Sequence, residues 1–238
     1  MTHHALPWLL LLACAGAQAQ TCRAESGATP PRVVELYTSE GCSSCPPADR
    51  WLSGLAGRDG VLALAFHVTY WDRLGWPDRF GAPAHTARQY ALAAADGARQ
   101  VYTPQVRVDG RDWRGWPRLP AAAPATASAT APKLSLQRDA QGVRADIGPS
   151  AAPQLAGYWA VLEDRHVSAV KAGENAGETL RHDHVVRLYQ PIEPWPGRQA
   201  RQLRLAVGPG EPAHPRRVAL VLVDPASGRP LQALALGC

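Results

Sequence analysis

Between Arg32-Val-Val-Glu-Leu-Tyr-Thr38, a short β-prone run, and Trp51, Leu52 and Leu55 at helical spacing stands Ser39-Glu-Gly-Cys-Ser-Ser-Cys-Pro-Pro-Ala-Asp49. The pattern reads strand, turn, helix, with Pro46 and Pro47 in the first helical turn, where a backbone N–H is not needed. Val61 to Val68 follows as a nearly continuous apolar run of strand length, the mark of a strand covered on both faces. A β-α-β unit therefore carries Cys42 and Cys45 where its helix begins. Unpaired N–H groups and the helix dipole favour a thiolate there, and a second cysteine one turn on is placed to resolve a mixed disulfide.

A Cys-x-x-Cys also serves as half a metal site or as an inert bridge. The second pair that a zinc ribbon needs is absent, because Cys22 and Cys238 are single and distant, so the redox reading is preferred to the other two. Residues 1–19 contain no Lys, Arg, Asp or Glu, and the apolar run Leu6 to Ala13 falls short of the roughly 20 residues that span a bilayer. With Ala17-Gln18-Ala19 as cleavage site, residues 1–19 read as a signal peptide of a periplasmic or secreted protein without a transmembrane segment. A lipobox at Leu11-Leu12-Ala13-Cys14 is the alternative. Four cysteines then remain, and Cys42 and Cys45 close too small a loop to act as a staple. That leaves Cys22 and Cys238, near the mature termini, as a structural bridge. The net charge of +5 comes from scattered arginines rather than a basic stripe, which argues against a nucleic-acid partner.

An Ala-rich helix is expected over Ala84 to Ala95, and Asp109-Gly110 marks a hairpin turn between Val101–Val108 and Arg111–Trp116. Residues 119–131, rich in Ala and Pro, read as a linker or degenerate helix. Beyond them, short alternating segments from Leu134 to Leu236 suggest a sandwich. The expected fold is thus an α/β domain over 31–118 followed by an all-β sandwich-like domain over 132–238. His67 ends the second strand, at the sheet edge where catalytic groups collect. As a cation it would lower a thiol pKa; as a neutral ring it would complete a Cys42, Cys45 and His67 copper set; the plain alternative is a half-buried, satisfied histidine. Trp71, Asp72 and Trp76 are candidates to wall the site. Glu35 is expected to point outward and Asp49 to cap or solvate its helix. His182 and His184 resemble a metal pair, although a solvated turn is the preferred reading.

Val33 to Asp49, Ala65-Phe-His-Val-Thr-Tyr-Trp-Asp72, Leu74 to Phe80, Thr86 to Tyr90, Val101-Tyr-Thr-Pro-Gln105 and Gly173 to Arg187 together resemble the bacterial secreted family catalogued as domain of unknown function 1223. The resemblance implies a thioredoxin-like fold for the first domain, in which Thr103-Pro104 is a cis bond opposite the cysteines and Pro104 orients a partner's backbone. Pro117 to Pro132 departs from that fold, which places a final helix there. The functional expectation is an exported thiol–disulfide oxidoreductase-like protein. It would act as a monomer on protein or small-molecule thiols and disulfides through Cys42, the more N-terminal and exposed of the pair, with Cys45, Pro104 and His67, and without a cofactor. Its rivals are a copper-binding metallochaperone and a non-catalytic interaction module.

Overall fold

The computed structural model describes residues 22–120 and 130–238; the expected signal peptide with Cys14, and most of the expected linker, lie outside them. From Cys22 the chain forms β1 (Arg23–Glu25) and enters β2 (Arg32–Thr38). It turns through the two cysteines into α1 (Pro46–Ser53) and returns in β3 (Val61–His67), parallel to β2, with Val33 beside Leu62 and Thr38 beside His67. Both strands are apolar on both faces, so each face needs a cover. On one face α1 packs Ala48 and Leu52 against Val34, Leu36, Ala63 and Ala65. On the other, α2 (Pro83–Ala95) brings Leu92 against the cluster of Val33, Tyr37, Leu62, Leu64 and Phe66. β4 (Gln105–Val108) then pairs antiparallel with β2 and turns into β5 (Arg111–Asp112). Asp109 and Gly110 make that turn at φ of 50° and 79°, the left-handed pair that a tight hairpin requires.

The next strands are β6 (Leu134–Asp139), β7 (Gly142–Ile147), β8 (Gln154–Glu163), β9 (His166–Ala169), β10 (Thr179–His182) and β11 (Val185–Pro196). β12 (Arg201–Leu205), β13 (Arg216–Val223) and β14 (Pro230–Gly237) complete the chain. Their pairing overturns the expected fold class of an α/β thioredoxin-like domain followed by an all-β sandwich-like domain. Strands from both parts of the chain join one eight-stranded sheet in the order β14-β13-β8-β11-β3-β2-β4-β5, and only two α-helices accompany fourteen strands among the described residues. The join is β11 lying parallel to β3, Val185 beside Ala65, with the Ala65 N–H donating to the His184 carbonyl at 2.8 Å. Periodicity identifies β3 as doubly covered but carries no information on which distant strand satisfies its free edge.

A second, antiparallel sheet, β1-β6-β7-β12, packs Leu136, Val143 and Ala145 against Trp159, Val161 and Leu220 of the large sheet. The strands beyond residue 132 are thus shared among this sheet, the large sheet and a β9–β10 ribbon. The N-terminal β1 belongs to it through β6, and Cys22 is bonded to Cys238 with their Cα atoms 6.1 Å apart.

Glu35 does not point outward. It is 4% exposed, and Arg88 of α2 donates to both of its carboxylate oxygens at 2.7 and 2.9 Å, while the Tyr158 hydroxyl donates from β8. The Arg88 guanidinium also lies over the rings of Phe66 and Tyr158 at 4.9 and 4.7 Å. Burial, with the carboxylate alongside, holds the Tyr158 hydroxyl well above its ordinary pKa and so keeps it a donor. Removing one partner strands the other charge without solvent. Arg88→Met should therefore cost about 3–5 kcal/mol of stability, read from guanidinium unfolding, and adding Glu35→Gln should restore much of it.

Candidate functional site at the carboxyl end of β2 and β3

β2 and β3 both end beside α1, and the loops that leave them converge there, as ligand sites do in open sheets with parallel strands. Cys42 and Cys45 are bonded to each other across this turn, Cα atoms 5.5 Å apart, with Cys45 as the N-cap of α1 and Pro46 and Pro47 following. The Cys45 N–H donates to the Cys42 carbonyl, which closes the turn. Pro104 directly precedes β4, whose Gln105 lies beside Tyr37 near the end of β2, and the Thr103–Pro104 bond is cis. Trp71 links these parts: its indole N–H donates to the Thr103 hydroxyl at 2.8 Å, and a Cβ added at Gly41 would stand 3.0 Å from its Cβ. Gly41 is what lets the indole close on the cysteine turn.

Cys42 is not the exposed thiol that its position suggests. It is 1% and Cys45 0% exposed, although Ser43 and Ser44 between them face solvent. The cover is the connection between β9 and β10. Asn175, itself buried, donates through its amide to the carbonyls of Glu40 and Cys42 at 2.8 and 3.0 Å. The exposed Glu174 accepts from the Ser43 N–H and hydroxyl at 3.0 and 2.8 Å. Those two donations hold the Glu174 carboxyl below its ordinary range.

Beneath the cysteines lies a buried group of carboxylates and imidazoles. Asp78 accepts from the His67 ring at Nδ1 (2.7 Å) and from the backbone N–H groups of Glu40 and Phe80. Burial alone would raise the Asp78 carboxyl, but the His67 charge and these donors pull it down to about 2. Burial opposes the His67 charge too, yet Asp78, then Asp49 and Glu40, hold its pKa above the ordinary value. Asp49 is buried rather than solvated, accepts from the Thr38 hydroxyl at 3.0 Å, and is raised by that burial. Trp76 donates to Glu40 at 2.7 Å, and Asp72 accepts from the Asp78 N–H. His182 is 2% exposed, its Nε2 3.3 Å from Glu40 Oε1.

Of the expected site residues, Cys42, Cys45 and Pro104 share this end of the sheet, and His67 stands with Asp49 and His182. In the bonded pair neither sulfur is a thiolate, so the copper set of Cys42, Cys45 and His67 would need the reduced state. His182 and His184 diverge and neither is solvated: His182 faces Glu40 and His67, whereas His184 Nδ1 meets Arg217 at 2.7 Å. Sequence reasoning missed Glu40, Asp78, Glu174 and Asn175. The two from the β9–β10 connection lie in the Gly173-to-Arg187 run that carried the resemblance, which was the only signal for them.

The architecture defines a β-rich protein, two large sheets and a β9–β10 ribbon among the described residues, with a covered Cys-x-x-Cys at a strand-to-helix junction. Its residues 33–223 match the family described as protein of unknown function (DUF1223), and the chain belongs to that family. A crystal structure of a protein from Agrobacterium tumefaciens is similar, with 27% identity, 86% of this chain and 93% of that chain covered, and a TM-score of 0.64. HBP35 of Porphyromonas gingivalis shares the fold at 13% identity, covering 88% of this chain and 76% of that one, with a TM-score of 0.54. No curated protein matches the chain.

The strap covers the cysteine turn, and a reductant is expected to reach the disulfide only by displacing it. Because the Glu174 carboxyl is depressed, its hold on Ser43 is complete above the ordinary carboxylate range and is lost as pH falls through the depressed value. Arg73 is the positive group acting on it. Reduction of Cys42–Cys45 by a phosphine should be several-fold faster in Glu174→Ala and Asn175→Ala than in the wild type at neutral pH. The ratio of the Glu174→Ala rate to the wild-type rate, in which the phosphine's own protonation cancels, should fall toward one as the medium is acidified through that range.

Proposed function

We propose that the protein is an exported thiol–disulfide exchange protein whose working couple is Cys42–Cys45. The observation that carries this reading is a bonded cysteine pair capping the start of α1, where a released sulfur meets the positive end of the helix. In the oxidising direction a substrate thiolate attacks Cys42 Sγ, an S–S bond to the substrate forms, the Cys42–Cys45 bond breaks, and the electron pair leaves on Cys45 and takes up a proton. A second substrate thiolate then attacks the substrate sulfur and releases Cys42 as a thiolate. The substrate gains a disulfide and the protein pair is reduced by two electrons. Pro104, fixed beside the turn by Thr103 and Trp71, stands where a partner's chain would align. Such a partner must first displace Glu174 and Asn175.

Export is supported by two disulfides, the bonded Cys22 and Cys238 among them, which persist in oxidising compartments, and by the leader pattern of residues 1–19. Among the described residues no helix is long and apolar enough to cross a membrane.

Near-complete burial of both sulfurs favours a second reading, an inert structural bond. Trapping separates the two. With Cys45→Ser, incubation with a dithiol peptide and an oxidant should accumulate a mixed disulfide on Cys42, and Cys42→Ser should accumulate far less. Absence of any adduct on Cys42, in folded protein, would favour the structural bond.

A further inference from the structure

Three buried carboxylates, Glu40, Asp49 and Asp78, gather around two buried imidazoles, and no Lys or Arg pairs with any of them among the described residues. Such a concentration of negative charge away from water needs compensation. One ring is already half committed: His67 gives Nδ1 to Asp78, while its Nε2 is fully buried and has no hydrogen-bond partner. His182 sets Nε2 3.3 Å from Glu40 Oε1, and neither of its ring nitrogens has a hydrogen-bond partner. An imidazole held from behind by a carboxylate, with its other nitrogen buried and unpaired, is the arrangement of a metal ligand with its outer shell. Asp49 completes the set and is itself held by Thr38.

We infer that Asp49, His67 and His182 form a binding site for a divalent first-row transition ion of the zinc class. One ligand atom from each can be chosen so that all lie within 4.8 Å of one another. Ligand atoms sharing an ion at about 2.1 Å in tetrahedral geometry stand about 3.4 Å apart, so side-chain adjustments of about an ångström close the set. Two imidazoles and a carboxylate suit zinc, cobalt or iron rather than calcium or magnesium. A cavity of about 110 Å³, lined by Pro46, Thr179 and Leu180 as well as Asp49 and His182, opens on the site and offers both an entry path and room for a further ligand. Arg50 and Arg181 stand at its wall and slow the approach of a cation without touching the three ligands. The site uses neither cysteine, so it is separate from the thiol couple, although Asp49 is one helical turn from Cys45.

The test loads the full mature chain with Co(II) and with Zn(II), removes free metal by dialysis, and counts bound ion. One ion per chain is expected, with visible d–d bands for cobalt. X-ray absorption on the zinc form should report imidazole and oxygen neighbours and no sulfur. His182→Ala should weaken binding by at least about 100-fold and Asp78→Asn, which touches only the outer shell, by about 10–100-fold. Cys42→Ser with Cys45→Ser should bind as the wild type does. Failure of the folded wild type to retain either ion overturns the inference. So does sulfur in the zinc shell, loss of binding with the cysteines, or binding indifferent to His182→Ala. Because the wild-type spectra decide the ligand set, a variant that fails to fold does not stall the test.

Discussion

The parallel contact between β11 and β3 is the interaction on which the rest of the molecule depends. β3 is apolar on both faces and pairs with β2 on one edge, so its other edge would expose a row of unpaired backbone groups in the middle of a core. β11 closes that edge and extends the sheet through β8, β13 and β14, against which the second sheet packs. Because β10 and the β9–β10 connection lead directly into β11, the same contact delivers Asn175, Glu174 and His182 to the cysteine turn and the buried histidine. The cover of the disulfide and the third side chain of the proposed ligand set are thus consequences of sheet closure.

Charge is buried in this protein in two different ways. Around Glu35 it is balanced within the fold: Arg88 supplies a bidentate partner, the hydroxyls of Tyr158 and Tyr37 supply further contacts to the carboxylate and the guanidinium, and aromatic rings hold the guanidinium in place. Around Asp49 and Asp78 the acids outnumber the bases, and the imidazole nitrogens that face inward lack partners. The first arrangement joins a helix to the sheet and asks for nothing more. The second is incomplete as a hydrogen-bond network, and unsatisfied buried polar groups call for an explanation, a bound ion being one.

Much of the local structure was legible from residues alone, since each relevant signal is short in range. Doubly apolar Val61 to Val68, the prolines after Cys45 and the Asp109-Gly110 turn gave a strand, a helix start and a hairpin, and all three stand. The alternating segments after Leu134 likewise became strands. The Cys22–Cys238 bridge apart, what failed depends on contacts far apart in the chain. A Glu35 reading by strand alternation assumed water on one face, whereas α2 and β8 close over it. The exposure of Cys42 was judged from its own turn, and the strap that hides it comes from residues 173–177. Asp49 and His182 looked like a helix cap and a solvated turn because neither announces the other. The fold class was misjudged for the same reason: a free strand edge has no sequence signature.

Burial and redox work are compatible only if the strap opens easily relative to the chemistry, and that is the central physical claim of the functional account. The reduction potential of the Cys42–Cys45 couple, obtained by equilibrating the mature protein with glutathione buffers and quantifying alkylated thiols, tests it most directly. An exchange-competent pair should equilibrate readily at a potential between about −120 and −270 mV, whereas a bond that stays oxidised below about −300 mV would contradict the account and mark Cys42–Cys45 as structural.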